Sequence, residues 1–226
     1  MRNKDAVKNN WPSDVWVAVD AVIFTVDNEE LKILLINRPI KPFRSRWSLP
    51  GGFIGKNEEA FDAASRLLKQ KADIGNIFIE QLFTFDDLNR DPRGRVISIT
   101  YFALLSGNKI RTFGGDGSQL FSIRKLPKLA FDHDKIIQYA TRRLRSKLEY
   151  TNAAYSLLPR YFTLGQLQKV YEVVFGRRLD KRNFRKKFLL LGLIKPTGKI
   201  GLALAHRPAR LYQFISRKPA ELAKFL

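Results

Sequence analysis

Residues 46–74 read RWSLPGGFIGKNEEAFDAASRLLKQKADI, and the strongest indication of the fold lies here. The first part, 46–54, predicts a short strand that Pro-Gly-Gly at 50–52 interrupts. The second part, 58–72, predicts a helix, because its apolar residues recur at helical spacing. Four of them are expected on one side: Phe61, Ala64, Leu68 and Ala72. The stretch is therefore a strand, a glycine turn and an amphipathic helix in succession.

Strands and a longer helix flank this unit. β-branched and aliphatic residues predict four strands, at 15–26, 31–37, 77–87 and 95–105. Asp27-Asn28 forms the first turn, and NRDPRG joins the last two strands because its Pro and Gly favour a turn. Ile137, Ala140, Leu144 and Leu148 share the apolar face of a helix at 134–148. Residues 1–140 thus predict a mixed α/β domain with a flexible tail at 1–10, and the end of the helix, 141–150, forms a linker.

The remaining residues, 151–226, predict a second domain. A short helix is expected at 153–158, before Pro159. Thr163 and Gln166 form a capping box for a second helix that ends at Gly176. Asp180 caps a third helix that ends at Gly192. Two strands around a basic hairpin, KPTGK at 195–199, would complete the order of a winged helix-turn-helix.

The charge of the chain is concentrated in this second part. The formal net charge is +20 and the isoelectric point about 10.3. Residues 1–140 carry only +4 of that charge, and residues 141–226 carry +16. Such a one-sided field attracts polyanions, so nucleic acid is the first candidate partner. An anionic membrane surface and simple solubility are the alternatives.

The composition excludes several classes of protein. The chain has no cysteine, which rules out disulfides and thiolate metal sites. It has two histidines, His133 and His206, too few for a histidine-rich metal site. No apolar run reaches the ~18–20 residues of a membrane-spanning helix, and the N-terminus lacks the apolar part of a signal peptide. We expect a cytoplasmic protein.

The strand–turn–helix stretch resembles the Nudix signature, G-x5-E-x7-R-E-U-x-E-E-x-G-U, where U is a bulky aliphatic residue. Five residues are in register: Gly52, Glu58, Arg66, Leu68 and Ile74. In that family the three glutamates of R-E-U-x-E-E hold divalent cations over a pyrophosphate. This chain has Leu67, Gln70 and Lys71 at those positions, and Asp73 replaces the later glycine. The resemblance implies a Nudix fold. The departures from the signature imply that this fold has no metal, no cofactor and no catalytic residues.

A fold retained without its chemistry can still bind the substrate class, because arginines and backbone amides suit phosphates and aromatic faces suit a base. Ten residues are predicted to line the ligand pocket: Arg38, Trp47, Gly51, Gly52, Phe53, Phe83, Phe85, Arg90, Arg93 and Arg95. The alternative is that the aromatic residues belong to the core and that the arginines lie on a solvated or dimer-facing loop.

The third helix of the second domain has the pattern of a DNA recognition helix. Phe184, Phe188 and Leu191 fall on one face, which leaves cationic and amide side chains for the major groove. The residues predicted to contact DNA are Thr163, Lys181, Arg182, Asn183, Arg185, Lys186, Lys195, Thr197, Lys199, Arg207 and Arg210. A generic basic face is the alternative, and a scaffold that binds RNA nonspecifically remains open with it.

The chain as a whole resembles the Nudix-related transcriptional regulators of NAD metabolism. The segments that carry the resemblance are DPRGRVISITYFAL, FDHDKI, YTNAAYSLLP, FTLGQLQKVYE, LDKRNFRKKFLLLGLI and HRPARLYQF. It implies an α+β protein, with a Nudix-like domain of mixed sheet between helices and then a winged helix. It also implies a homodimeric repressor of NAD-biosynthesis genes that binds a palindromic operator and releases it on binding ADP-ribose. Relatives of this architecture control sugar use instead.

An enzyme is the rival from another class. A nucleotide-sugar pyrophosphatase with a rearranged metal site would need other carboxylates, and five are available in the sequence: Glu58, Glu59, Asp62, Asp86 and Asp87. Leu67 and Lys71 weigh against this alternative, because neither side chain can ligate a divalent cation.

Overall fold

A computed structural model describes residues 15–75, 77–110, 117–201 and 208–222. The strands are β1 (Val15–Asp27), β2 (Glu30–Asn37), β3 (Trp47–Ser48), β4 (Gly51–Phe53), β5 (Glu80–Phe85), β6 (Arg95–Leu104), β7 (Ser118–Ser122), β8 (Ile194–Gly201) and β9 (Ala209–Phe214). The helices are α1 (Ala60–Ala72), α2 (Gly107–Ile110), α3 (His133–Tyr150), α4 (Leu164–Phe175) and α5 (Lys181–Leu190), and a 3-10 helix spans Ala153–Ser156. No described helix is long and apolar enough to cross a membrane.

A mixed sheet is built around β1. The sheet runs β3-β2-β1-β6-β5, with β4 also paired to β1 and β7 to β2. β1 is parallel to β6, from Val15 opposite Arg95 to Phe24 opposite Leu104, and antiparallel to β2 and β4. Every residue from 18 to 25 is buried, because helices cover both faces of this strand.

The two faces of the sheet are covered by different helices. α1 packs through Ala63, Ala64, Leu67 and Leu68 against one face. α3 packs through the predicted stripe, Ile137, Ala140, Leu144 and Leu148, in the cluster on the other face. The predicted arrangement of a mixed sheet between helices is confirmed. Phe61 was placed on the apolar side of α1, and this was wrong: it is 49% exposed, and its ring packs edge-to-face with Tyr101, with centroids 6.3 Å apart.

The winged-helix part begins and ends its helices as the sequence indicated. Thr163 Oγ1 accepts a hydrogen bond from Gln166 N at 3.1 Å, and Gln166 Oε1 accepts one from Thr163 N at 2.8 Å. Asp180 Oδ1 accepts from Asn183 N at 2.7 Å at the start of α5. Gly176 ends α4 in the left-handed region, at φ 68°. These caps satisfy backbone groups that a helix end would otherwise leave unpaired.

The wing differs from the prediction. We expected KPTGK at 195–199 to be the hairpin turn, but it lies within β8. Gly198 has φ 74°, and the pairing of β8 with β9 shifts register between Pro196 and Ile200. The glycine thus produces a bulge rather than a chain reversal. Pairing resumes with Ile200 opposite Arg210 and Gly201 opposite Ala209. Residues 202–207 lie outside the described residues.

Two elements were not expected from the sequence. β7 pairs with β2 through residues 118–122, and α2 is a single turn at 107–110. SQLFS is too short and too polar to stand out as a strand, and its place in the sheet comes from the edge that β2 offers.

The two parts of the chain share a hydrophobic core. One continuous cluster of buried residues includes Phe24 of β1 and Ile33 of β2, the buried face of α3, and Tyr171 and Phe188 of the winged helix. Arg145 Nε of α3 donates to the carbonyl of Val174 at 2.9 Å. A cleft of about 1220 Å³ opens beside this core, between β6 and the segment that follows α3.

Candidate ligand pocket and nucleic-acid interface

The loop before α1 is held by one bidentate ion pair. Arg66 donates from Nε and Nη2 to the two carboxylate oxygens of Glu58, at 2.6 and 2.7 Å. Glu58 Oε2 also accepts from Gly55 N at 3.0 Å. The hydrogen bond from Arg66, followed by that from Gly55, lowers the pKa of Glu58 to about 2. These hydrogen bonds preserve the loop–helix geometry.

The positions of the family's metal ligands hold groups that do not fit a metal. Leu67 is 6% exposed, and a Cβ added at Gly52 would lie 3.1 Å from its side chain. Gln70 Oε1 accepts from Arg66 Nη1 at 3.3 Å. Lys71 Nζ donates to the carbonyl of Gly51. Within the described ranges, no group of three or more histidines or carboxylates could hold a metal ion. A cation at this place would meet an ammonium rather than carboxylates.

The end of α1 keeps the shape of the signature without its glycine. Asp73 adopts the left-handed conformation, at φ 51°, that a glycine takes there without strain. Asp tolerates that conformation better than most side chains. The substitution therefore preserves the turn.

Two arginines and two aromatic rings form an open cationic cluster beside β4. The guanidinium of Arg93 lies over Phe53 at 4.8 Å and over Phe131 at 5.6 Å from the ring centroids. The guanidinium of Arg38 lies over Phe131 at 4.7 Å. Burial, followed by repulsion from Arg93, lowers the pKa of Arg38, while Asp91 and Asp20 oppose that shift. The structure thus brings together the predicted residues Arg38, Phe53 and Arg93.

The backbone of Gly51 and Gly52 lies at the edge of the same cluster. β4 runs against β1, with Gly52 opposite Val19 and Gly51 opposite Asp20. A side chain at Gly51 would collide with the carboxylate of Asp20. Lys71 belongs to the same cluster. Its ammonium donates a hydrogen bond to the carbonyl of Gly51, and the positive charge of Arg38 contributes to lowering its pKa. Backbone and cations of this kind suit a diphosphate, and the ring faces suit a base.

Arg90 was predicted to bind the ligand, but the structure places it in the interior. It is 6% exposed, and it donates to both oxygens of Asp132 at 3.1 and 2.9 Å. It also donates to Asp20 Oδ2 at 3.3 Å. With its N–H groups directed at these two carboxylates, Arg90 crosslinks β1 to the start of α3 below the pocket. Sequence reasoning missed both partners, because they lie 70 and 42 residues away along the chain.

His133 belongs to the same buried network and was also missed. Its Nδ1 accepts a hydrogen bond from Leu49 N at 2.9 Å, and its Nε2 lies 3.5 Å from Asp20 Oδ1. Burial lowers the pKa of His133, which keeps the ring neutral with its proton on Nε2. The ring also stacks near Phe131, with centroids 5.3 Å apart. The first residue of α3 is thereby fixed to the floor of the pocket.

The remaining predicted pocket residues take part in packing. Trp47 contacts the edge of Phe121 at 4.7 Å between centroids. Phe83 and Phe85 lie against Tyr139 of α3, at 4.9 and 5.8 Å. Arg95 donates to the carbonyl of Asp86. Trp47 and Phe85 are half-buried against the core, as the core alternative describes, whereas Phe83 is 49% exposed.

α5 presents a cationic face to solvent. Phe184 and Phe188 are buried against Tyr171 of α4, with centroids 5.4 and 5.8 Å away. The side chains around the rest of the helix are exposed, namely Lys181, Arg182, Asn183 and Lys186, and Arg185 is half-buried. The division into an apolar and a cationic face is that of a recognition helix.

The wing carries further exposed cations. Lys195, Lys199 and Arg210 are exposed on β8 and β9, and the ammonium of Lys199 lies 5.1 Å from the Tyr161 ring centroid. Two predicted DNA contacts also form hydrogen bonds within the protein. Thr197 Oγ1 donates to the carbonyl of Leu211 at 3.0 Å, and Thr163 caps α4. Arg207 lies outside the described residues.

Known proteins contain the same two parts in the same order. Residues 16–140 match the family described as NUDIX domain, and residues 154–214 match the one described as NrtR DNA-binding winged helix domain. Over 213 residues, 92% of this chain and 84% of the other, the chain is 36% identical to a protein of Acinetobacter baylyi described as ADPR responsive transcriptional repressor NtrR. The chain belongs to the NrtR family.

Solved structures of the NrtR family have the same architecture. One is the crystal structure of Shewanella oneidensis NrtR complexed with a 27mer DNA. It has a TM-score of 0.77 and 34% identity, over 88% of this chain and 93% of that one. Another is the NUDIX domain of the same protein complexed with ADP ribose, with a TM-score of 0.53 and 33% identity. That match covers 64% of this chain and 99% of the domain.

Membership of the NrtR family confirms two predictions from the sequence. The first is a Nudix-like domain followed by a winged helix, and the second is the class of DNA-binding transcriptional regulators. The individual contacts with ligand and DNA remain predictions.

Proposed function

We propose that this chain is a transcriptional repressor that binds operator DNA and senses ADP-ribose in its Nudix domain. The observation that carries the proposal is a Nudix loop and helix that keep their ion pair, Arg66–Glu58, while Lys71 replaces one of the metal-binding glutamates of the signature. The same core supports a winged helix with a cationic α5. A scaffold that retains the pocket without the metal suits sensing better than hydrolysis.

α3 is the proposed connection between the two sites. Its first residue, His133, is bonded into the pocket floor, and Phe131 just before it lies under Arg38 and Arg93. In its second half, Arg145 bonds to the carbonyl of Val174 in the winged-helix part. Eighteen residues of helix span about 27 Å. A ligand that moves Phe131 would therefore move a rigid rod whose other end carries the DNA-binding domain.

A homodimer is the proposed assembly, and a palindromic operator follows from it. Large apolar side chains are exposed at the start of β1 and on β4, including Trp16, which is 51% exposed and packs edge-on against Phe53. Exposed apolar residues in one place are typical of a surface that another chain covers. Two-fold symmetry would present two winged helices to two half-sites of opposite direction. NAD-biosynthesis genes are the proposed targets.

The absence of hydrolysis is the first prediction. Neither ADP-ribose nor NADH should be hydrolysed in the presence of Mg²⁺ or Mn²⁺, because Leu67, Gln70 and Lys71 supply no carboxylate for the metal. The formation of hydrolysis products is measured by chromatography over hours at high protein concentration. Metal-dependent turnover at about 1 s⁻¹ or faster, abolished in Glu58→Gln, would contradict the prediction and favour a pyrophosphatase.

Base contacts from α5 are the second prediction, and they test the DNA-binding proposal. Arg182→Ala and Asn183→Ala should each weaken operator binding by ~1–3 kcal/mol and affect random DNA less, because arginine pairs with guanine and asparagine with adenine through two hydrogen bonds. Lys199→Ala, on the wing, should weaken both alike and reduce the salt slope by ~1, as expected for a phosphate contact.

The measurement is a set of binding isotherms on operator and scrambled duplexes at several salt concentrations. Glu221→Gln, outside α5 and the wing, serves as the control that should leave both affinities unchanged. Equal losses on operator and scrambled DNA for every α5 variant would contradict specific recognition and favour a purely electrostatic grip on nucleic acid.

A further inference from the structure

The ammonium of Lys71 is carried by a residue that stands at the position of the last metal-binding glutamate of the signature. It folds back from the last turn of α1 onto the carbonyl of Gly51, and it would be 3.6 Å from a Cβ added at Gly52. Lys71 is nevertheless an exposed residue, so a ligand in the pocket can reach it. An ammonium has three donors, and Gly51 accepts one of them.

The charges around Lys71 compensate its positive charge only in part. Its pKa is lowered first by desolvation and then by Arg38, with Asp20 acting in the opposite sense. Asp20, however, is bonded to Ser98 Oγ at 2.7 Å and to Arg90 at 3.3 Å. Its charge is thus largely committed to the buried network. Lys71 and Arg38 together form a cationic pair at the mouth of the pocket, and an anion placed between them would relieve their repulsion.

We propose that Lys71 is the built-in cation of this pocket and holds the diphosphate of the ligand where hydrolytic relatives use a metal ion. This inference rests on the proposed function, because the ligand is taken to be ADP-ribose. A lysine neutralises a phosphate oxygen as a metal does, but it cannot activate water as a Lewis acid. With Leu67 and Gln70 at the other two glutamate positions, Lys71 would therefore allow the pocket to bind a diphosphate without a divalent cation and without hydrolysis.

Calorimetric titration of the full-length protein with ADP-ribose tests the proposal, once in EDTA and once in Mg²⁺. The wild type should bind equally well in both buffers. Lys71→Met should weaken binding about tenfold or more in both, the loss expected for one charge-assisted hydrogen bond. Lys71→Glu should bind weakly in EDTA and regain affinity in Mg²⁺. Lys69→Glu, on the same helix and paired with Asp73 instead, is the charge-matched control and should behave as the wild type.

A second measurement needs no nucleotide. Binding of Mn²⁺ is followed by electron paramagnetic resonance in Gln70→Glu and in Gln70→Glu/Lys71→Glu. The double variant should bind Mn²⁺ at least about tenfold more tightly, because carboxylates replace the resident ammonium. Equal affinities in the two variants would show that Lys71 does not occupy the metal position, and would overturn the inference.

The outcomes separate this inference from the proposed function. Wild-type binding that requires Mg²⁺, or Lys71→Met binding as tight as the wild type, overturns the role of Lys71 and leaves ADP-ribose sensing intact. No binding of ADP-ribose by the wild type overturns the proposed function and the diphosphate role together. The Mn²⁺ result then still decides whether Lys71 occupies the metal position.

Discussion

Replacing Arg90 with methionine is expected to lower the free energy of unfolding by about 3–5 kcal/mol, the cost of breaking a buried ion pair by removing one partner. The side chain of Arg90 is 4% exposed, and those of its partners Asp20 and Asp132 are 8% and 6% exposed. Methionine fills much of the space but leaves two carboxylates in a region where water cannot replace the guanidinium. The effect arises from these unpaired charges rather than from lost packing.

Urea denaturation measures this loss, and tryptophan fluorescence is a suitable probe because Trp16 and Trp47 lie in β1 and β3. Lys135→Met is the matched control. It removes an ion pair to Asp87 across the same gap, between the loop after β5 and α3, but both side chains are more than 40% exposed. That pair should contribute about 1 kcal/mol or less. Equal effects of the two variants would contradict the structural role assigned to Arg90.

Saturating ADP-ribose is expected to weaken operator binding by about 5- to 150-fold, the usual range of coupling between two sites. The physical reason is the position of α3, fixed at His133 to the pocket floor and at Arg145 to the winged helix. Reciprocity requires that operator DNA weaken ADP-ribose binding by the same factor.

Titration of ADP-ribose into a complex with labelled operator measures the coupling. Arg38→Ala is the informative control, because it removes a cation from the pocket and lies far along the chain from α5. It should bind operator as the wild type does and lose the response to ligand. An operator affinity that stays constant at saturating ADP-ribose would contradict the coupling, whatever the affinity for the ligand itself.

The sequence alone was sufficient where local spacing determines structure. Glu58 and Arg66 were identified by their register in the Nudix signature, and the structure pairs them. The Thr163–Gln166 capping box needs only its own four residues, and the stripe on α3 follows from helical periodicity alone. Signals of this kind depend on neighbours within two turns of helix or one loop, and a single sequence contains them in full.

The errors arose where distant partners decide. Arg90, Arg93 and Arg95 look alike in the sequence, yet Arg90 is buried because β1 and α3 bring Asp20 and Asp132 to it. Thr197 has the composition of a turn, but its hydroxyl bonds to Leu211, and β9 holds the segment in a strand. In the same way, residues 118–122 form β7 because they pair with the edge of β2. These pairings depend on topology, which one sequence does not reveal.

The core shared by sheet, α3 and winged helix sets a condition on how such proteins can be recombined. Phe24, Leu144 and Tyr171 belong to one buried cluster, although they come from the Nudix sheet, from α3 and from the winged helix. A chimera that joined this Nudix domain to another DNA-binding domain would bring foreign side chains into a close-packed interior, where mismatched volumes lower stability. A regulator with a new ligand or a new operator is therefore better obtained by changing the surfaces of the two domains, while the buried core that they share is left unchanged.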